Sequence, residues 1–276
     1  MNNSFEKHIF NYLDTLRNCE IKDAMAYALA DGKRIRPLVL FSILKGMGIN
    51  EEKGYDAAMA LEFIQTYSLI HDDLPAMDND DFRRGKPSLH KAYREDIAIL
   101  TGDELLTDSF SIISNSNEYD SESKVNMITA LSKYSGLNGM IYGQLLDVTT
   151  DSKQVNKELL VEIQDNKTSG LFKIACLMAM YINHEENKSY YEKLGSLIGQ
   201  IFQNQDDLFD VLKTQEEMGK SLSDIANDKG SALSLYSIEQ LKQLINSQFD
   251  EIYKLLENAS FDTIYLKEIL EKIRNR

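Results

Sequence analysis

The stretch GYDAAMALEFIQTYSLIHDDLPAMDNDDFRRGKP, residues 54–87, determines which kind of fold this chain can adopt. Its first part carries apolar side chains at near-helical spacing, which predicts a helix over residues 54–73 that ends on two aspartates. Pro75 prevents a regular continuation of that helix. Five aspartates fall within residues 72–81, and such a concentration of like charge in a chain of net charge −14 requires an explanation.

The rest of the chain favours helices as well. Only 3 prolines occur in 276 residues, and apolar residues recur at helical spacing through most of the sequence. No glycine-, serine- or proline-rich linker divides the chain, so we predict one all-α domain over residues 1–276, an antiparallel helical bundle. The predicted helices span residues 3–17, 20–30, 34–47, 54–73, 91–100, 102–116, 121–133, 136–147, 155–181, 186–214, 222–228, 231–257 and 261–274.

Charge and cysteine usage limit the classes of function. An excess of 44 acidic over 30 basic residues disfavours nucleic-acid binding. Two cysteines, Cys19 and Cys176, are too few for a disulfide framework and suit a reducing cytoplasm. The start of the chain does not resemble a signal peptide, and the longest apolar runs, 38–44 and 174–182, are too short to span a bilayer. We expect a cytoplasmic protein with no integral membrane segment and no nucleic-acid partner.

A second acidic motif, FQNQDDLFD at residues 202–210, makes the aspartates informative. One such motif could equally be a solvated acidic face, because like charges four residues apart cost only about 0.2–0.5 kcal/mol on an exposed helix. Two motifs embedded in apolar helices indicate a partly enclosed space, where unit charges ~4 Å apart repel by roughly 4 kcal/mol at an effective dielectric of about 20. Divalent cations remove this repulsion, and carboxylate oxygens suit Mg²⁺ with substrate phosphates as further ligands. The pair of motifs therefore predicts a diphosphate clamp.

Basic residues accompany the acidic motifs. A single lysine is usually a solvating group, but arginine binds phosphate oxygens bidentately, and a neighbouring glycine permits close backbone approach. The candidates are Lys33, Arg34, Arg36, Arg83, Arg84, Lys86, Lys167 with Thr168, Lys220 and Lys229. They predict two bound anionic groups, one held through metal and one held directly by bases.

The motifs GKRIRP, DDLPAMDNDDFRRGKP, LTGDELL, GQLLD, KT, FQNQDDLFD and GKSLSD occur in the order found in trans-isoprenyl diphosphate synthases, which the chain resembles over about residues 25–232. No motif is specific alone, whereas their combination is. The resemblance implies an isoprenoid synthase fold with helices around a deep cavity, and a homodimer. It implies a transferase that joins isopentenyl diphosphate head-to-tail to an allylic diphosphate (dimethylallyl or geranyl diphosphate).

The resemblance also implies roles for individual residues. Three Mg²⁺ ions would be bound by Asp72, Asp73, Asp78, Asp206 and Asp210. The catalytic residues would be Asp72, Asp73, Asp78, Arg83, Lys167, Asp206 and Lys220, and the allylic substrate would contact Arg83, Lys167, Thr168, Gln203 and Lys220. Isopentenyl diphosphate would be bound by Lys33, Arg36 and Arg84, with Lys229 as a further substrate-binding residue and Gln144 and Asp147 as polar support near the reacting carbons.

Three positions depart from the family pattern. Gln65 stands where many relatives have a histidine that touches isopentenyl diphosphate, and it can still donate a hydrogen bond. Tyr142 replaces a small residue, and KGSALSL at residues 229–235 stands where relatives read closer to KSTYPAL.

Product length depends on what lies below the first aspartates. Tyr67 is five residues before Asp72, about 7.5 Å along the helix axis, so we expect its ring, with Ser68 beside it, to close the bottom of a substrate tunnel. The alternative is a tyrosine packed sideways in the core. An aromatic residue here and the inserted Pro75-Ala76 pair resemble bacterial farnesyl diphosphate synthases, which implies a C15 product.

Other functions remain open at this stage. A geranylgeranyl or longer-chain diphosphate synthase would share every motif. A terpene cyclase would share the fold and one aspartate motif, but it needs neither the second motif nor a second diphosphate pocket. A non-catalytic helical partner subunit is the alternative from a different class. Such subunits usually lose motif aspartates, and this chain retains all of them.

Overall fold

The computed structural model describes residues 3–150, 155–218 and 232–275, which are helical apart from turns and one small hairpin. The helices are α1 (Asn3–Thr15), α2 (Glu20–Leu29), α3 (Ile35–Gly46), α4 (Tyr55–Asp72), α5 (Leu89–Ala92), α6 (Glu95–Asn115), α7 (Ser121–Ser135), α8 (Met140–Thr149), α9 (Lys157–Lys167), α10 (Ser169–Ile182), α11 (Lys188–Met218), α12 (Ile238–Leu256) and α13 (Ile264–Arg274). Single 3₁₀ turns lie at Glu51–Gly54 and Ala232–Ser234. β1 (Phe82–Arg83) pairs antiparallel with β2 (Lys86–Pro87). The predicted all-α class is confirmed.

The predicted break between two helices at residue 101 is wrong. The predicted helices 91–100 and 102–116 are replaced by the short α5 and by α6, which runs without interruption through Gly102. The glycine serves packing, because a Cβ there would lie only 2.1 Å from Nε2 of His71 on α4. Its missing side chain therefore lets α4 and α6 approach, and it does not break the helix.

The prediction of one continuous helix over residues 155–181 is also wrong, because this segment forms two helices, α9 and α10, that meet at Thr168. The Thr168 hydroxyl donates to Gln203 Oε1 on α11 (2.8 Å), a tertiary bond that no local pattern reveals. Predicted helix 231–257 begins only at Ile238, where Ser237 and Gln240 form a capping box. Predicted helix 222–228 lies outside the described residues.

Two helices form the centre of the core. α10 is buried almost all round and packs against α11, α7 and α3, while α4 is largely buried and packs most extensively against α6. The buried apolar side chains form one connected cluster from Phe5 to Ile273, in which each large side chain contributes about 1.5–3 kcal/mol. α4, which carries Gln65, Tyr67, Ser68 and Asp72, is therefore held within this core.

Close helix contact depends on two glycines of α11. A Cβ on Gly195 would lie 2.4 Å from Lys173 Cα, and one on Gly199 would lie 2.4 Å from Ser169 Cα. These contacts bring the backbones of α10 and α11 together in the first half of α11, before the second aspartate motif at residues 202–210.

No helix in the described part of the chain is long and apolar enough to cross a membrane. The two cysteines are not paired, since Cys19 is exposed and Cys176 is buried in α10.

Candidate active site

A cavity of about 1410 Å³ opens between α3, α4, α8 and α11 and the loops around them. Asp73, Asp78 and Asp147 are not on its walls, but each contacts a residue that is. Lys220 and Lys229 lie outside the described residues. The predicted site residues that line the cavity are Lys33, Arg36, Gln65, Tyr67, Ser68, Asp72, Arg83, Arg84, Gln144, Lys167, Thr168, Gln203, Asp206 and Asp210.

The first aspartate motif begins in the last turn of α4, which presents Asp72 to the cavity. The chain then folds back, so that the Asp78 N–H donates to the Asp72 carbonyl at 2.9 Å. Burial raises the pKa of Asp72 to about 6, opposed by the positive charge of Lys167 and reinforced by the negative charge of Asp78. Because a bound cation would favour the ionised carboxylate, Asp72 and Asp78 fit a metal site.

Asp73, the next residue, makes a different set of contacts. It is buried, and Arg83 Nε lies 3.0 Å from its Oδ1 and 3.2 Å from its Oδ2. Burial raises the pKa of Asp73, while the hydrogen bonds from Arg83 lower it. Arg83 also reaches Asp80 Oδ2 at 3.5 Å. In this structure Asp73 orients Arg83, and its role as a metal ligand stays a prediction.

α11 brings the second aspartate motif to the same cavity. Asp206 and Asp210 are one helical turn apart and both line the wall. Asp207 differs, because its Oδ2 accepts from the Ala232 N–H at 3.0 Å and its Oδ1 accepts from Gln203 Nε2 at 2.9 Å. Burial raises the pKa of Asp207, and these bonds lower it. Asp207 therefore stabilises the local structure beside the two lining carboxylates.

Positive charge comes from the start of α3, from the loop before it and from the hairpin. Arg36 Cζ lies 4.8 Å from the centre of the Phe172 ring and 5.7 Å from that of Phe202, so two aromatic rings orient its guanidinium. Burial lowers the pKa of Arg84, opposed by the charge of Glu62. The charges of Arg34 and Arg83 also lower this pKa, and an anion bound beside Arg84 would reduce that repulsion.

The junction of α9 and α10 supplies two more polar contacts. Lys167 Nζ lies 2.6 Å from Asp147 Oδ2 on α8, which ties this cation to the predicted support residue. Thr168 donates to Gln203 Oε1 at 2.8 Å, and Gln203 continues the chain to Asp207. The break in the helix therefore places a lysine and a hydroxyl at the cavity wall.

The remaining wall is apolar and contains two incompletely bonded amides. Tyr67 lines it and is buried, and burial together with the charge of Asp72 raises the pKa of Tyr67 to about 12. Buried oxygen or nitrogen atoms of Gln65 and Gln144 have no hydrogen-bond partner within the described parts of the chain. Both side chains line the cavity, so a bound ligand could satisfy them.

Some residues of the site were not identified from the sequence. Ile141, Leu145 and Val148 line the cavity from one face of α8, and their spacing was the available signal. Glu62 also lines it, and this acid within the apolar run AMALEFIQ should have indicated a buried partner. That partner is Arg34, which was among the basic candidates but was not expected to be buried. Asp103 and Leu106 of α6 also line the cavity, and they belong to the LTGDELL motif, for which no site role was inferred.

The donor set fits magnesium better than a metal held by protein alone. Within residues 3–150, 155–218 and 232–275, no group of three His, Cys, Asp or Glu side chains converges as a ready metal cage. Mg²⁺ typically binds one or two carboxylates together with waters and substrate phosphates, and the Asp72 and Asp206 groups offer such partial sets. The aspartates could thus hold a metal ion whose coordination shell is completed by a phosphorylated ligand.

Comparison with known proteins agrees with this geometry. Residues 18–273 match the family model of polyprenyl synthetase. A farnesyl diphosphate synthase of Micrococcus luteus is 42% identical over 261 residues, which cover 93% of this chain and 89% of the relative. The solved structure of a geranyltransferase from Legionella pneumophila superposes with a TM-score of 0.87 at 32% identity, covering 99% of this chain and 94% of that one.

A further solved structure is informative about ligands. A geranyltransferase from Helicobacter pylori, complexed with magnesium and isoprenyl diphosphate, superposes with a TM-score of 0.82 at 28% identity, covering 99% of this chain and 94% of that one. The matches to the family and to these relatives extend over nearly the whole chain. The chain belongs to the polyprenyl synthetase family, and it is a prenyltransferase.

Proposed function

We propose that the protein is a farnesyl diphosphate synthase, which condenses isopentenyl diphosphate head-to-tail with dimethylallyl and then geranyl diphosphate. The observation that carries the proposal is a single cavity that combines aspartates from two helices, several arginines and lysines, and an apolar wall that includes Tyr67. Two diphosphates and a growing hydrocarbon chain require these three features together. The farnesyl diphosphate synthase of Micrococcus luteus, at 42% identity, supports the choice of reaction.

In this proposal, carboxylates of both aspartate motifs hold metal with the allylic diphosphate. Three Mg²⁺ ions bound there would offset the negative charge of the diphosphate as it departs. The raised pKa of Asp72 supports a site in which bound cations stabilise the ionised carboxylate. The Helicobacter pylori relative complexed with magnesium and isoprenyl diphosphate supports it independently. The ligands would be Asp72, Asp73, Asp78, Asp206 and Asp210.

The reaction begins when the C–O bond of the allylic substrate breaks and its electron pair leaves with the diphosphate. Arg83 and Lys167 stabilise this departing anion, with Lys220 from outside the described residues. Thr168 and Gln203 position the allylic substrate beside them. The alkene of isopentenyl diphosphate then forms the new C–C bond to the allylic cation, and the proton released from the adduct passes to the diphosphate. The apolar wall and the substrates that fill the cavity keep out water, which would otherwise quench the cation.

Isopentenyl diphosphate binds through bases without metal in this scheme. Lys33, Arg36 and Arg84 contact its diphosphate, and Lys229 is a further substrate-binding residue. Gln65 donates a hydrogen bond in place of the histidine of many relatives. Gln144 and the Lys167–Asp147 pair provide polar support near the reacting carbons.

Tyr67 and Ser68 set the product at C15 by limiting the depth of the apolar region. Burial of Tyr67 at the cavity wall supports this assignment. A geranylgeranyl or longer-chain synthase is the nearest alternative, and chromatography of the products distinguishes the two.

A Mg²⁺-dependent assay of diphosphate release from dimethylallyl and isopentenyl diphosphates tests the proposed function. We expect release only with both substrates and metal, and farnesyl diphosphate as the main product. Folded protein that releases no diphosphate would instead favour the non-catalytic partner subunit. The retained aspartates and the two diphosphate-binding regions disfavour that alternative.

We further propose a homodimer formed by one catalytic domain per chain. The connected core from Phe5 to Ile273 supports a single domain. Exposed apolar side chains on the contacting helices α6 and α7, namely Ile99, Leu100 and Val125, support association with a second copy. The unpaired cysteines are consistent with the proposed cytoplasmic location.

A further inference from the structure

A buried arginine, Arg34, lies in sequence between Lys33, in the loop before α3, and Arg36, in the first turn of α3, which are both proposed to bind isopentenyl diphosphate. Arg34 is only 4% exposed, and its Nε and Nη2 donate to the two carboxylate oxygens of Glu6 at 2.9 and 3.0 Å. Its Nη1 donates to Glu62 Oε2 at 2.7 Å. Nη2 also donates to the Leu29 carbonyl. Three elements, α1, α2 and α4, thus converge on one guanidinium.

These contacts leave Arg34 little capacity to bind a substrate. Four of its five N–H groups are used by protein acceptors, and two carboxylates outweigh its single positive charge. Burial would lower the pKa of Arg34, but the bonds and charges of Glu6 and Glu62 raise it further, so the group stays cationic. Attraction for an anion must therefore come from neighbouring basic residues, and Arg34 contributes by holding those residues in place.

The same guanidinium also holds the loop between α2 and α3, residues 30–34, in place. Arg34 is the N-cap of α3 with a left-handed φ of 52°, a conformation that non-glycine residues adopt only when the surroundings impose it. A Cβ on Gly32 would lie 2.4 Å from Arg34 Nη1 and 3.3 Å from Arg84 Nη1, so Gly32 is packed between two guanidiniums. An ion pair of Asp31 with Lys86 joins this loop to the hairpin.

We propose that Arg34, held by Glu6 and Glu62, is a positioning residue that sets the affinity for isopentenyl diphosphate. It orders Lys33 and Arg36 along the chain and Arg84 across Gly32, without touching the substrate itself. The inference rests on the proposed function and goes beyond it, because it makes α1, which does not line the cavity, part of the determinant of substrate binding.

Two variants test the proposal by steady-state kinetics with each substrate varied in turn. Arg34→Lys keeps the charge but loses the planar guanidinium that bonds to both carboxylates at once. We therefore expect KM for isopentenyl diphosphate to rise about tenfold, with KM for geranyl diphosphate little changed. Glu6→Gln, remote from the cavity, should raise the same KM by about threefold. The double variant should show less than the product of the two effects, because both act through one contact. Arg94→Lys, at an exposed arginine paired with Asp96, is the matched control and should change neither KM.

Calorimetric binding of isopentenyl diphosphate without Mg²⁺ gives a second readout that does not need turnover. It should weaken in Arg34→Lys by the same factor as KM rises. Equal increases in KM for both substrates, or a lower melting temperature with both KM values unchanged, would show that Arg34 is merely structural and would overturn the proposal. If Arg34→Lys fails to fold, the Glu6→Gln comparison decides. A wild-type protein that binds isopentenyl diphosphate but releases no diphosphate would contradict the proposed function and leave the binding test intact.

Discussion

At the scale of single residues, neighbouring aspartates differ in what they contact. Asp72 lines the cavity while Asp73 is bound by Arg83, and Asp206 lines it while Asp207 accepts bonds from Gln203 and Ala232. One side chain of each pair thus lines the cavity, and the other holds a neighbour in place.

Shortening the aromatic wall should lengthen the product. Tyr67→Ala removes a buried ring from the cavity, so we expect the main product to shift from farnesyl toward geranylgeranyl diphosphate. Chromatography of the products measures the shift. Tyr93→Ala is the control, because Tyr93 does not line the cavity, and its product should remain C15. An unchanged C15 product from Tyr67→Ala would remove Tyr67 from this role.

A buried acid remote from the aspartate motifs should make stability depend on pH. Burial raises the pKa of Asp108, and a hydrogen bond with Tyr12 only partly offsets this. The folded state therefore binds the proton more tightly than the unfolded state, and stability is lost as pH rises through the folded pKa. Asp108→Asn should melt at a higher temperature than the wild type near pH 7, and the difference should shrink toward about pH 4. Parallel pH profiles of the two melting temperatures would refute this.

At the scale of helices, close contacts fix the site. A Cβ on Gly143 of α8 would lie 2.3 Å from the backbone nitrogen of Lys167, at the junction of α9 and α10. Gly195 makes the same kind of contact with Lys173, away from the cavity lining. The two glycines therefore separate the effect of displaced helices on catalysis from their effect on stability.

Gly143→Ala should reduce activity more than its loss of stability explains, because α8 must move away from Lys167 and so strain the Lys167–Asp147 pair. Gly195→Ala should lower the free energy of unfolding by a similar amount, about 1–3 kcal/mol, with kcat nearly unchanged. Chemical denaturation and initial rates measure both. Equal loss of activity in the two variants would contradict the role assigned to the α8 contact.

Helix type was predictable from the sequence, but several helix ends and partners were not. Apolar periodicity and scarce proline identified most helices. The break at Thr168 depends on a bond to Gln203, thirty-five residues away, and the continuity of α6 through Gly102 depends on the ring of His71. Both are tertiary effects. The motifs indicated which residues would meet, but not that Asp73 would bind Arg83 or that Arg34 would be buried.

At the scale of the whole molecule, the buried core supports a cavity with charged and apolar walls. Its size and lining suit two diphosphates and a hydrocarbon chain better than a single small ligand. Asp72 at the end of α4 and Asp206 and Asp210 in the second half of α11 line the same cavity, as the binding of one metal-bound ligand by both motifs requires.

We also expect two copies of the chain to associate. The exposed apolar residues of α6 and α7 favour burial against a second copy. Sedimentation equilibrium should give twice the mass of one chain at micromolar concentration. Leu100→Glu should shift the mass toward that of one chain, whereas Ile264→Glu, at an exposed apolar residue of α13, should not. A wild-type protein that sediments as a monomer would contradict the homodimer.

The central claim is that the two aspartate motifs act together on one magnesium-bound diphosphate. Calorimetric binding of an unreactive allylic diphosphate analogue, with and without Mg²⁺, to wild type, Asp72→Asn, Asp206→Asn and the double variant tests it most directly. We predict that each single variant weakens Mg²⁺-dependent binding by at least about tenfold, and that the double variant loses less than the product of the two effects. Full Mg²⁺-dependent affinity in either single variant would contradict the account.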